Sequence, residues 1–129
     1  MTTYNSKLFK PPAPMAQVIL RNPDAGMAWT DVPMLIDPGA DVTMVPEAVL
    51  TRLNTIIVPN IEYELIGFNG AKSRYPMVQI DLVFCRRTFH GQYLLINEAY
   101  GIIGRNVLNS VPIFLDGPNL TWGEYRNKP

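Results

Sequence analysis

The sequence has one cysteine, Cys85, and one histidine, His90, among 129 residues. A single thiol excludes an internal disulfide and fits a reducing compartment. With no further partners at ligand spacing, neither residue points to a metal site, and no metal or cofactor is expected. Charge is also sparse and balanced: eleven Lys plus Arg against eleven Asp plus Glu give a formal net charge of zero. Without a basic run there is no electrostatic reason to bind nucleic acid or an acidic membrane surface. The same neutrality leaves little repulsion between copies, which permits self-association. Long apolar runs are missing as well. Nothing nears membrane-spanning length and the opening residues, Met1 to Lys7, have no apolar signal core, so the expected location is the cytoplasm. No lysine-serine or lysine-threonine pair follows the glycines near Gly67 and Gly101, which excludes a phosphate-binding loop.

What is present points to short strands. Apolar residues make up 47% of the chain, enough for one modest core, while twelve prolines and nine glycines interrupt it too often for long helices. Residues 1–14 end in Lys10-Pro-Pro-Ala-Pro14 and read as an extended N-terminal arm, with residues 15–129 as a single domain. Strands are predicted over Ala16–Arg21, Trp29–Ile36 and Val42–Val45. Pro46 and Glu47 open a short helix running to Leu53. Ile56–Val58 and Ile61–Phe68 are the next strands, and Asn69-Gly70 marks a hairpin tip returning through Tyr75–Phe84. A second hairpin is predicted around His90-Gly91, with Cys85 on the strand before it. Gly101–Gly104, a helical turn at Arg105–Asn109, and a hairpin over Val111–Trp122 with its turn at Asp116–Asn119 complete an all-β chain with one or two short helices.

Two segments carry chemistry. Leu35-Ile36-Asp37-Pro38-Gly39-Ala40-Asp41 places an acid directly after a buried-looking strand. Burying a carboxylate costs several kcal/mol unless it is hydrogen-bonded or shares a proton. Gly39 lets backbone approach closely and leaves an N–H for the carboxylate. Taken alone, Asp-Pro-Gly reads better as a β-turn. The second segment, Tyr100-Gly101-Ile102-Ile103-Gly104-Arg105-Asn106, lies far downstream, beyond the Asn-Gly hairpin.

The order apolar-Asp-x-Gly-Ala-Asp, short helix, hairpin, then apolar-apolar-Gly-Arg-Asn resembles the retroviral and bacterial retropepsin-like aspartic proteases, over about Val32 to Leu115. That resemblance implies an acid-protease β-barrel with a flap hairpin. It implies Asp37 as the catalytic aspartate, with Pro38, Gly39 and Ala40 as the active-site loop. It makes Asp41 an acid near the substrate backbone, ion-paired with Arg105. Gly67, Phe68, Asn69 and Gly70 fall on the flap over bound peptide, and Ile102 and Ile103 on the substrate pocket. Aspartic proteolysis uses two carboxylates sharing a proton, one activating water and the other polarising the scissile carbonyl. The only other acid after an apolar run with glycine, Asp116 in Phe114–Asn119, fits a hairpin turn instead. One motif per chain then implies a homodimer acting on a peptide or protein substrate. The arm Leu8–Pro14 and the hairpin Val111–Tyr125, through Ile113, Leu115, Leu120 and Trp122, are the expected interface.

Pro38 departs from the family, which has threonine or serine there. Proline supplies neither the hydroxyl nor the N–H that bond across the two-fold axis, at ~0.5–1.5 kcal/mol net per bond. It also biases Asp37 toward extended conformations, which helps pre-organise the loop. Two functional classes therefore stand: an active homodimeric endopeptidase, and a retropepsin-fold peptide-binding or dimerisation module that does not cleave. Asp37, Gly39, Asp41 and Arg105 together favour the enzyme. Among the remaining residues, Cys85 reads as a strand cysteine rather than half of a Cys–His pair. Arg86-Arg87 reads as a solvated strand edge able to steer an acidic peptide.

Overall fold

The computed structural model describes residues 1–126; residues 127–129, the end of the expected 15–129 domain, lie outside the described residues. Among the described residues ten strands and two one-turn helices follow one another: β1 (Thr2–Thr3), β2 (Met15–Asn22), β3 (Met27–Ile36), β4 (Met44–Pro46), α1 (Val49–Arg52), β5 (Ile57–Ile66), β6 (Lys72–Phe84), β7 (Arg87–Ile96), β8 (Gly101–Ile103), α2 (Arg105–Leu108), β9 (Ile113–Asp116) and β10 (Thr121–Glu124). Strands β2, β3, β8, β4, β7 and β6 pair in that order, and β6 pairs back onto β2 through Ile19–Val83, Leu20–Leu82 and Arg21–Asp81. The sheet is thereby a closed barrel, with β5 hanging outside it on β6. Inward positions of these strands fill the interior: Val18, Leu20, Val32, Met34, Val45, Val78, Leu82 and Ile103 are all fully buried. No described helix is long and apolar enough to cross a membrane.

A second sheet, β1-β10-β9, covers one end. Thr2 and Thr3 pair with Trp122 and Thr121, so the start of the chain is zipped to its own C-terminal hairpin. Trp122 is 6% exposed, packs on Phe84 and donates its indole N–H to the Met15 carbonyl at 3.1 Å. Of the two places expected for it, core or interface, the chain's own core is where it lies.

Three local readings also change. The β6–β7 turn lies at Cys85-Arg86, not at His90-Gly91. Both turn residues take positive φ, 51° and 61°, the conformation that a two-residue turn matching strand twist requires and that Asn-Gly usually supplies. His90 instead sits within β7 opposite Asp81, its Nδ1 2.6 Å from the carboxylate. Ile56–Val58 and Ile61–Phe68 merge into the single strand β5, whose register shifts between Ile57 and Glu62 with Asn60 at φ 63°. Pro46 ends a strand rather than starting a helix, because β4 pairs in parallel with β7 through Pro46 and Ile96. Only Val49–Arg52 is helical.

Candidate active site

The site grows from one parallel pairing. Strands β3 and β8 align Met34 with Gly101, Leu35 with Ile102 and Ile36 with Ile103, which draws the two chemistry-bearing segments side by side. Glycines make the approach close enough. A Cβ on Gly101 would stand 2.6 Å from the Met44 carbonyl oxygen, and one on Gly104 2.4 Å from that of Val42. Neither position has room for a side chain.

Asp37 continues the pairing by one bond, its N–H donating to the Ile103 carbonyl at 3.1 Å. The chain then turns. The Ala40 N–H closes onto the Asp37 carbonyl at 3.0 Å, while the Gly39 N–H donates to Asp37 Oδ1 at 3.0 Å. The turn expected from Asp-Pro-Gly and the captured carboxylate expected from Gly39 are thus one structure. Arg105, at the start of α2, holds this loop three times. Its backbone N–H donates to the Ala40 carbonyl at 2.9 Å, its Nη1 to the Pro38 carbonyl at 2.7 Å, and its Nη2 to the Asp41 carboxylate. The Asp41–Arg105 pair is exposed, so its direct ionic stabilisation is small. Its consequence is geometric: it fixes the loop between Asp37 and Asp41.

Thr43 is the residue that sequence reasoning missed. Its hydroxyl accepts the Gly104 N–H at 3.0 Å and donates to Asn106 Oδ1 at 2.7 Å, with the side chain 1% exposed. The legible signal was a hydroxyl inside the apolar run Val42–Val45, since a polar group at a core position requires partners.

The β5–β6 hairpin faces this loop across a cleft of about 690 Å³. Gly39, Ala40 and Asp41 line its floor with Val42 and Met44; Gly67, Phe68 and Asn69 line its roof. The hairpin tip is closed by Gly67 N–H to the Ala71 carbonyl at 2.8 Å and by Ala71 N–H to Asn69 Oδ1 at 3.0 Å, with Gly70 at φ +79°. Phe68 projects wholly into solvent. Of the two isoleucines expected in the pocket, Ile102 is half-buried, whereas Ile103 is fully buried in the core and supports the loop from behind. The alternation of side chains along β8 separates them.

Beside the loop, a mostly apolar hollow of about 220 Å³ is formed by Ile36, Pro38, Leu108, Val111, Ile113 and Leu115, with Asn109 among them. Pro38 is exposed there.

The closed barrel, the paired glycine-flanked segments and the overhanging hairpin define a retropepsin-like fold. No protein-family model matches the chain, and no curated protein does. Among solved structures, the EIAV protease complexed with the inhibitor HBY-793 matches with a TM-score of 0.55 and 20% sequence identity, over 84% of this chain and 93% of that chain. The likeness therefore lies in the fold.

Proposed function

We propose that the protein is an aspartic endopeptidase that acts as a homodimer, each chain contributing Asp37. The observation that carries this reading is the held carboxylate: Asp37 accepts the Gly39 N–H in a loop fastened by Arg105, and the next residues of that loop, Gly39 to Asp41, line the cleft under the hairpin. In a dimer the two Asp37 carboxylates, ~3 Å apart, share one proton. The ionised one takes a proton from water as it attacks the scissile carbonyl, and the protonated one donates to the carbonyl oxygen. The flap hairpin then covers the substrate from above, with Gly67 to Asn69 over its backbone.

The edge of β9 supports the dimer. Strand β10 has β1 on one side and β9 on the other, and no strand among the described residues pairs with the outer edge of β9. Tyr125 N–H donates to the Pro112 carbonyl at 2.7 Å. By the alternation of an antiparallel pair, Phe114 and Asp116 bond inward to β10, while Ile113 and Leu115 turn their N–H and C=O groups outward. An open edge of this kind pairs readily with another strand. A two-fold axis at Phe114 would set Ile113 opposite the second copy's Leu115 and bring the two Pro38 hollows together. A non-cleaving peptide-binding module is the second reading, favoured by Pro38, which lacks the hydroxyl and N–H for bonding across the axis.

The test is cleavage of a mixed peptide library between about pH 4 and 7, where a proton-sharing dyad operates, with wild type and Asp37→Ala compared. Cleavage confined to wild type is the expected result. Equal cleavage by both excludes the aspartic mechanism, and silence of both favours the binding module.

A further inference from the structure

The end of the barrel remote from the hairpin tip carries three arginines around one carboxylate. Arg87 Nη1 lies 3.0 Å from Glu124 Oε2, Arg86 Nη2 3.6 Å from Oε1, and Arg126 Nη2 3.9 Å from Oε1. Three positive charges thus converge on a single negative one, a local excess of two among the described residues. Among the described residues only Arg87 makes a hydrogen bond to the Glu124 carboxylate. Arg86 and Arg126 are 68% and 61% exposed while the Glu124 side chain is 14% exposed, so two guanidinium forks face solvent, with no hydrogen bond to another side chain among the described residues. The thiol of Cys85, in the same turn, adds no charge: burial first, and Glu124 next, push its pKa up and keep it protonated.

The turn itself is costly for these residues. Cys85 and Arg86 both hold positive φ, which non-glycine residues adopt only against steric resistance. Asn-Gly would make the same turn freely. Backbone strain of this kind gathers where side chains are held for a task. Here it places Arg86 beside Arg87 and opposite Arg126, against their mutual repulsion. Planar forks presented together suit bidentate recognition of a tetrahedral oxyanion, and an excess of two charges matches the ~1.5–2 negative charges of a phosphate monoester.

We propose that Arg86, Arg87 and Arg126 form a phosphate-binding site, separate from the cleft and independent of whether the protein cleaves peptides. Strand β6 runs its 13 residues from the flap hairpin to this turn, and none of the three arginines is among the residues lining the cleft. The phosphate group arrives either on a small molecule or on a phosphorylated side chain of a protein.

Isothermal titration with inorganic pyrophosphate and with a phosphoserine peptide separates these sources. Wild type, Arg86→Ser/Arg126→Ser and the control Lys72→Ser/Arg74→Ser are compared at one ionic strength, with melting curves confirming that each is folded. The expected result is saturable binding of at least one probe by wild type and control, weakened at least ~10-fold in the Arg86/Arg126 variant, as befits lost charge-assisted bonds. The probe that binds more tightly names the source. No saturable binding of either probe to wild type, or equal weakening in both variants, overturns the proposal.

Discussion

Replacing Thr43 by valine removes one oxygen from the interior and leaves the side chain's shape nearly unchanged. The Thr43 hydroxyl accepts the Gly104 N–H at 3.0 Å and donates to Asn106 Oδ1 at 2.7 Å. After the substitution the Asn106 side chain, on an exposed residue, turns to water at little cost. The Gly104 N–H has no such exit, because Gly104 is buried and packed against Val42. An orphaned buried donor costs ~1–3 kcal/mol. For a chain of this length the melting temperature should fall by ~3–5 °C per kcal/mol, hence by ~3–15 °C in all. Urea denaturation followed by fluorescence reads the stability directly, with the slope of the transition unchanged. Thr43→Ser, which keeps the hydroxyl, should restore most of it. A valine variant within ~0.5 kcal/mol of wild type would show that the hydroxyl does not brace the Gly104 corner.

Other perturbations separate core from interface. Trp122→Ala should destabilise the folded chain by ~3–5 kcal/mol, measured by denaturation of the isolated protein, since Trp122 belongs to the chain's own core. Gly104→Ala should prevent a native fold altogether, read as loss of cooperative melting, because the added methyl meets Val42 backbone that cannot yield. Pro38→Thr should tighten the dimer ~30-fold in sedimentation equilibrium if two bonds of ~1 kcal/mol each form across the axis; an unchanged dimer constant would place Pro38 away from the axis. Burial, reinforced by Asp81, pushes the Tyr93 phenol up to about 12. A folded-state value above the unfolded one gives stability that is fully present below about pH 10 and lost as the pH rises toward 12. Tyr93→Phe should flatten that alkaline loss in pH-dependent unfolding.

Fold and site were legible where chemistry is local. Asn69-Gly70 announced its hairpin, the alternation of Val78, Ile80 and Leu82 announced a half-buried strand, and Asp37 with Gly39 announced a carboxylate held by backbone. Legibility ended where tertiary pairing overrides local preference. Cys85-Arg86 bears no mark of a two-residue turn, yet the β6–β7 register places Phe84 opposite Arg87 and forces one. Pro46 has the makings of a helix start, but parallel pairing with β7 keeps it extended. The three bonds from Arg105 to the Asp37–Asp41 loop join residues more than sixty positions apart, and spacing alone does not contain them. Nor could composition show that β1 closes on β10 of the same chain, with Trp122 in the core.

In the proposed enzyme two chains build one site, each supplying one carboxylate. Mixing tests this directly. Wild type is co-refolded with Asp37→Asn in varying proportion at constant total protein, and the rate of peptide cleavage is followed. A shared site requires both chains to be wild type, so activity should fall as the square of the wild-type fraction, to about one quarter at equal mixing for a two-fold dimer. A linear fall, to about one half, would mean that each chain works alone, with no site shared between two copies.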